Sequence, residues 1–228
     1  MSCAVLSIQA CQPSKRLVLF ADPWLEEYAD SLTMLFGRSH PDVDVELKVV
    51  SSEVAVQHIR YGQPVDVFLC YGLEMFQGAD FRSRIAHVHP IADSRILEVH
   101  GPPHPNQARF ATGGCSMVEA SDRPSRIYAE RSFGDIASGP GCVIIANFQS
   151  QAADYLRLGW VPGGYVPSHF AASLPDGFER VRQSGRIRDA FAAALMADRP
   201  DPEEAAAFWE LLRSEKSCLL VEKLKFLP

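Results

Sequence analysis

The sequence lacks the features by which several large classes of protein are recognised. In its 228 residues no window approaches the roughly 18 consecutive apolar residues that a transmembrane helix requires. The formal net charge of -6 argues against a surface for nucleic acids or for insertion at anionic membranes. No G-x-S-x-G, P-loop or H-E-x-x-H motif occurs. The sequence therefore gives no support to nucleophilic catalysis, and we do not expect an enzyme.

Cysteine and histidine are present but are not spaced as metal ligands. None of the six cysteines forms a C-x-x-C pair, and their wide separation in a chain of this length argues against a disulfide framework. His87 and His89 could share a metal from alternate positions of a strand. The next pair, His100 and His104, is separated by Gly-Pro-Pro, and no carboxylate stands at a matching spacing. We therefore predict no metal and no cofactor.

Composition and the amino terminus bear on size and location. With 47% hydrophobic residues, the chain can bury a core in one domain or in two small lobes. Residues 1–15 start with a mildly apolar stretch that has no basic segment and is too short for a signal peptide. We interpret them as a leader and expect a cytoplasmic protein. A misassigned start codon would instead allow a periplasmic one.

The most informative part of the sequence alternates between strand and helix patterns. These patterns are an apolar run at 16–21, helical spacing from 25 to 36, period-2 alternation at 43–50, a second helix after Glu53, and a buried run at 66–70. Strands separated by helices of this length indicate a parallel sheet, whose ligands bind beyond the carboxyl ends of the strands. We therefore expect the functional site at residues 22–24 and 51–53.

A second strand–loop–helix unit follows later in the chain. An apolar run at 142–146 precedes a helix pattern from Gln149 to Gly159. The loop between them, residues 147–150, is therefore a second candidate site. Residues 116–120 could form another strand.

Other segments give a weaker or divided signal. The pattern fades over residues 78–112, and residues 101–105 must be irregular because they carry three prolines and a glycine. Residues 186–197 favour helix by their alanine content and strand by their context, so both remain open. Asp201-Pro202 is a helix start with a cap and a proline in the first turn, and Ser214 can cap a final helix.

Several segments together resemble one family. Phe20-Ala21 before the first helix, Ser51-Ser52 at the start of the second, and the run 62–68 match the periplasmic molybdate-binding proteins in order and spacing. These proteins belong to the type II solute-binding superfamily. Residues 204–212 and 224–228 are similar to the closing helices and the terminal Gly-Phe-Leu-Pro run of the same family.

This resemblance implies an α/β fold of the type II periplasmic-binding-protein-like class, with two lobes around a ligand cleft and a shortened second lobe. Lobe 1 would comprise residues 16–80 and 198–228, and lobe 2 residues 81–197. It also implies a solute-binding protein that holds a small anion such as molybdate, tungstate or sulfate and partners with an ABC transporter permease. Helix amino termini and hydroxyl groups can bind such an anion without lysine or arginine.

Several positions depart from the family pattern. Trp24 stands where the family has its first ligand-binding serine, and its ring would fill part of an oxyanion pocket or stack on a planar group. Ser52 matches the second serine, but Glu53 stands beside it. In the second lobe Pro167 falls at the position of the family's tyrosine, and Tyr165 could substitute for it. An altered ligand is therefore as consistent with the sequence as molybdate.

The predicted ligand-binding residues share a position in the loops that open helices or in the shortened second lobe: Asp22, Trp24, Ser51, Ser52, Asn147, Gln149 and Tyr165. Five of them have a structural alternative, which is helix capping for Ser52 and Asp22, packing for Trp24, and loop hydrogen bonding for Asn147 and Gln149. A general acid–base pair of Asp22 and Glu53 is the weakest hypothesis. The alternative function is an intracellular, non-transporting relative that senses a small molecule or binds a protein partner through a degenerate pocket.

Overall fold

The computed structural model describes most of the chain. Its described residues are 15–71, 76, 79–94, 96–104, 115–120, 142–146, 149–172, 174–183, 189–198, 202–224 and 226. Within them the strands form two five-stranded sheets. No described helix is long and apolar enough to cross a membrane.

The first sheet is built from the beginning of the chain and one late strand. Its strands, in spatial order, are β2 (Val43–Val49), β1 (Lys15–Ala21), β3 (Val67–Tyr71), β10 (Asp189–Met196) and β4 (Ile85–Ser94). β1 runs parallel to β2 and β3, which confirms the predicted parallel unit. β10 runs antiparallel to both of its neighbours, so the sheet as a whole is mixed.

Helices cover both faces of this sheet. They are α1 (Glu26–Ser39), α2 (Ser52–Arg60), α3 (Ala79–Arg82), α6 (Pro202–Leu212) and α7 (Glu215–Lys223). Side chains of β1 alternate between the two resulting cores, with Leu17 and Leu19 on the face of α1 and α6, and Val18 and Phe20 on the face of α2. Burial on both faces explains why β1 is a continuous apolar run.

The second sheet is built from the middle of the chain. Its strands, in spatial order, are β7 (Cys142–Ala146), β6 (Cys115–Ala120), β8 (Gly163–Pro167), β5 (Ile96–His100) and β9 (Glu179–Gln183). Two helices accompany it, α4 (Gln149–Arg157) and α5 (Ser168–Ala171). A separate core forms where Leu97, Leu156 and Val166 meet. The predicted strand at 116–120 and the strand–helix unit ending at Gly159, whose φ is +65°, are confirmed.

The chain passes between the sheets from β4 to β5 and again from β9 to β10. The predicted boundaries assign residues 81–197 to the second lobe, whereas hydrogen bonding places β4 and β10 in the first sheet. Strands also occupy part of the segment at 78–112 where the sequence signal was weak, while residues 101–104 are irregular as predicted.

Most of the segment at 186–197, whose sequence is compatible with both helix and strand, forms strand β10. Three consecutive alanines of this strand, Ala192 to Ala194, are fully buried between the two helical layers. Small side chains fit this central position, so tertiary packing outweighs the helix propensity of alanine.

Candidate functional site

Three loops meet at the carboxyl ends of β1, β2 and β3, where the sequence placed the site. The carboxylate of Asp22, directly after β1, is buried and lies at the start of α2. Its Oδ2 accepts hydrogen bonds from the Ser52 amide at 2.9 Å and from the Ser52 hydroxyl at 2.6 Å. The Ser52 Oγ in turn accepts the Tyr71 amide at 3.0 Å. One buried network therefore joins the ends of all three strands.

Asp22 also performs the capping role that was considered as its alternative. Its Oδ1 accepts the Trp24 amide at 3.1 Å and caps the short 3-10 turn Pro23–Leu25, which precedes α1. Ser51, not Ser52, is the amino-terminal cap of α2, because its Oγ accepts the Val54 amide at 3.4 Å. The capping role considered for Ser52 is therefore wrong. Ser52 lies in the first turn, and its hydroxyl points to Asp22.

This network has a direct consequence for anion binding. The amide and hydroxyl of Ser52 are the donors that the resemblance assigned to an oxyanion, and both already bond to the Asp22 carboxylate. A carboxylate at a helix amino terminus is itself a bound anion in electrostatic terms. A second, fully deprotonated anion at Ser52 would have to displace Asp22 or tolerate its charge.

Trp24 is buried in an aromatic cluster that contains residues from distant parts of the chain. Its ring centroid lies 4.7 Å from that of Tyr71, 5.9 Å from that of Phe191 and 6.2 Å from that of His169. Phe191 belongs to β10, and His169 to α5 beside the second sheet. Trp24 therefore connects the loop that carries Asp22 to a helix beside the second sheet.

His169 was not identified from the sequence, yet it is the most unusual polar group in this region. Its ring stacks on Phe226 with centroids 4.3 Å apart, and neither ring nitrogen has solvent exposure or a hydrogen-bond partner among the described residues. Burial lowers the pKa of His169 to about 3. The nearby backbone of Trp24 opposes this shift in part, although it does not meet the geometry of a hydrogen bond to either ring nitrogen. The neighbouring Ser168 hydroxyl is also buried and unpartnered in the described structure.

Of the three remaining predicted residues, Tyr165 has a side chain within the described structure. Tyr165 on β8 is buried and packs with the same hydrophobic cluster as Trp24. Asn147 lies outside the described residues. Gln149 is the first residue of α4, and the placement of its side chain is outside the described structure. The structure thus brings together Asp22, Ser52 and the Trp24 backbone in one network.

No group of three or more histidine, cysteine or acidic side chains is positioned to hold a metal ion within the described part of the chain. His87 and His89 lie on β4 of the first sheet, whereas His100 ends β5 of the second sheet and bonds to Glu98 at 3.0 Å. The chemistry available at the strand ends is therefore hydrogen bonding by one carboxylate, hydroxyl groups and one imidazole.

Comparison with known proteins gives a consistent picture of the fold. No family model and no curated protein matches the sequence. The structure is similar to the periplasmic molybdate-binding protein of Azotobacter vinelandii, with a TM-score of 0.71 and 14% identity over 93% of this chain and 99% of the other. It is similar to an ABC-type phosphate transport receptor from Vibrio cholerae, with a TM-score of 0.65 and 12% identity over 93% and 99% of the two chains.

A regulatory domain shares the same architecture. The reduced form of the OxyR regulatory domain from Pseudomonas aeruginosa aligns with a TM-score of 0.61 and 15% identity over 88% of this chain and 98% of the other. The similar structures are thus binding proteins and a regulatory domain. Together they show that the chain has the type II periplasmic-binding-protein-like α/β fold that the sequence predicted.

Proposed function

We propose that the chain is a ligand-binding protein that holds a small anion between its two sheets and closes around it. The observation that supports this most directly is the pair of buried, unpartnered polar groups on α5, Ser168 and His169, beside the loop that carries Asp22 and Trp24. Buried polar groups normally have a partner, and a bound ligand is one way to supply it. The position also agrees with the rule that ligands bind beyond the strand carboxyl ends.

The polar groups define which anions suit the site. Asp22 can only accept hydrogen bonds while ionised, whereas the Ser168 hydroxyl can donate. His169 is neutral near pH 7, because its pKa is about 3, so one ring nitrogen can donate and the other can accept. An anion that itself carries a proton, such as hydrogen phosphate, can donate to an acceptor here. Molybdate, tungstate and sulfate cannot, and the Asp22 charge opposes them.

We propose that the chain delivers its ligand to the permease of an ABC transporter. A second candidate function is ligand sensing or protein binding without transport. It is favoured by the aromatic packing of Trp24, which already occupies the position where the related family has a serine, and by the similarity to a regulatory domain. Catalysis is not part of either proposal.

A thermal-shift panel tests the proposal on the purified chain. The panel contains molybdate, tungstate, sulfate and phosphate, followed by carboxylates and amino acids. A ligand at about 100 times its dissociation constant adds about 2.7 kcal/mol to the unfolding free energy. For a chain of this size that corresponds to a rise in Tm of roughly 5–10 °C. A response to phosphate without one to sulfate supports the proposed site, and no response to any anion favours the second candidate function.

The substitution Asp22→Asn tests whether the carboxylate controls anion choice. Asparagine keeps one oxygen acceptor for the Ser52 donors but removes the negative charge. We expect sulfate and molybdate to bind about tenfold or more tightly to this variant than to the natural chain, because a nearby charge repulsion has been removed. Isothermal titration calorimetry of both proteins measures the change. Equal affinities for the two proteins would show that the anion does not approach Asp22.

A further inference from the structure

A cavity lies at the β4 edge of the first sheet, away from the loops that carry Asp22 and Ser52. Its volume is about 460 Å³, which falls within the range of small-molecule pockets. We call it the β4–α6 groove. Its lining includes two histidines and a leucine of the sheet, two residues of α6, and the arginine that directly follows α6: His87, His89, Leu195, Trp209, Glu210 and Arg213.

The groove exists because β4 is an edge strand of the first sheet. β4 pairs with β10 on one side, and His87 lies opposite Leu195 in that register. His87 and His89 occupy alternate positions, so both project to the face that α6 covers. α6 packs over the sheet interior, α7 also contacts β4, and the groove lies where β4 meets the end of α6. Leu195 is buried and forms an apolar floor.

Trp209 supplies an aromatic wall to this groove. The tryptophan is 6% exposed, and its ring centroid lies 6.4 Å from that of His87 and 6.3 Å from that of His89. The interplanar angles are 32° and 76°, so neither imidazole covers the indole by close parallel stacking. Three ring systems therefore converge on one side of the cavity, an arrangement suited to a planar aromatic group.

The charged side chains of the groove are Arg213 and Glu210. Arg213 donates to Glu210 at 3.3 Å, but both side chains are exposed and only three residues apart in the chain, so this ion pair is weak. The positive charge of Arg213 also extends into the groove, where it lowers the pKa of His89 together with burial, which is the larger cause. A guanidinium that is weakly held by a surface carboxylate is available to a ligand carboxylate, with which it can form a two-point contact.

We infer that the β4–α6 groove binds a small aromatic carboxylate. The ligand ring lies against Trp209 between the two imidazoles, and its carboxylate replaces Glu210 as the partner of Arg213. The lining combines one guanidinium with the rings of Trp209, His87 and His89 and with the apolar side chain of Leu195. This site is separate from the one proposed between the sheets, because Trp24 and Trp209 belong to different ends of the first sheet and share no ring contact.

The experiment uses benzoate as the probe and ¹⁹F NMR of the full chain labelled with 5-fluorotryptophan. The chain has three tryptophans, Trp24, Trp160 and Trp209, so each site reports separately. Spectra of Trp160→Phe and Trp209→Phe assign the signals. We expect benzoate to move the Trp209 signal saturably and to leave the Trp24 signal in place. Benzamide, which lacks the charge, and cyclohexanecarboxylate, which lacks the ring, should each bind more weakly.

Substitution of the charged group completes the test. Arg213→Met should weaken benzoate binding about tenfold, as expected for loss of a charged hydrogen-bond partner. Arg157→Met is the matched control, because Arg157 makes a similar exposed pair with Asp154 three residues away, at 3.1 Å. It should leave the affinity unchanged. His87→Ala, at an exposed position, should reduce the affinity without affecting the fold.

Three results would overturn the inference. They are an unmoved Trp209 signal at saturating benzoate, equal loss of affinity in Arg213→Met and Arg157→Met, or binding of benzamide as tight as that of benzoate. Movement of the Trp24 signal alone would place the ligand between the sheets and would also contradict this site. Failure of the anion panel above would not affect these outcomes, since they depend on different residues.

Discussion

At the scale of single residues, Ser52 holds the three strand ends together. Its hydroxyl donates to Asp22 at 2.6 Å and accepts from the Tyr71 amide at 3.0 Å, and the side chain is buried. We expect Ser52→Ala to lower the unfolding free energy by about 1–3 kcal/mol, because hydrogen bonds to a buried charged group are lost. Urea unfolding at equilibrium measures the change.

Ser51→Ala is the matched control for this substitution. Ser51 contributes only a capping bond of 3.4 Å to the Val54 amide and is half-buried. Loss of a cap costs roughly 0.5–2 kcal/mol, and the length of this bond places the expected cost at the lower end. If Ser51→Ala lowers the unfolding free energy as much as Ser52→Ala, the buried network contributes no more stability than the cap of α2.

His169 makes the stability of the fold depend on pH. Its pKa is about 3 in the folded chain and close to its ordinary value of 6.5 in the unfolded chain. Between these values the unfolded chain binds more protons, so stability from this group is fully present above pH 6.5 and is lost as the pH falls toward 3. From about pH 6.5 to pH 5 the loss amounts to about 2 kcal/mol.

His169→Phe tests this assignment. Phenylalanine suits a site already formed by Phe170, Phe191 and Phe226, so the variant should fold. We expect it to be more stable than the natural chain at pH 5 and to show a flatter dependence of unfolding free energy on pH. Chemical unfolding at several pH values provides the comparison. Identical pH dependence in the two proteins would show that another group is responsible.

At the scale of secondary structure, the sequence predicted the elements whose signals are local. Strands β1 to β3 and helices α1 and α2 follow from periodic apolar positions, and the capping role of Asp22 follows from its position before Pro23. β10 was left ambiguous because alanine favours helix locally, and only burial between two layers decides for strand. The strand signal of β4 is also weak, since this edge strand carries two histidines and Pro90 in place of a regular apolar alternation.

The residues of the candidate site also divide into those with a local sequence signal and those whose role depends on distant contacts. Asp22 and Ser52 were identified because both begin helices after strands, a pattern visible within a few residues. Their mutual bond was not predicted, because it joins positions 30 residues apart. The packing of His169 on Trp24 depends on contact between elements of both sheets, and a single histidine in a Ser-His-Phe segment carries no local signal for it. Contacts of this kind can be predicted only when the arrangement of the strands and helices is known.

At the scale of the whole molecule, the aromatic cluster around Trp24 links the two sheets. The ring contacts Tyr71 of the first sheet, at 4.7 Å between centroids, and His169 of α5, at 6.2 Å. In a two-lobed binding protein the contacts between lobes set the balance between open and closed states. A ligand and this cluster would therefore act on the same equilibrium.

Trp24→Ala should shift the free protein toward an open state. A compact chain of this length has a radius of gyration of about 17 Å, and we expect small-angle X-ray scattering to show an increase of about 1 Å in the variant. Trp160→Ala is the control, because Trp160 pairs with Tyr155 beside the second sheet, at 5.1 Å between centroids. An unchanged radius in Trp24→Ala together with a lower Tm would show that Trp24 stabilises the first lobe without controlling closure.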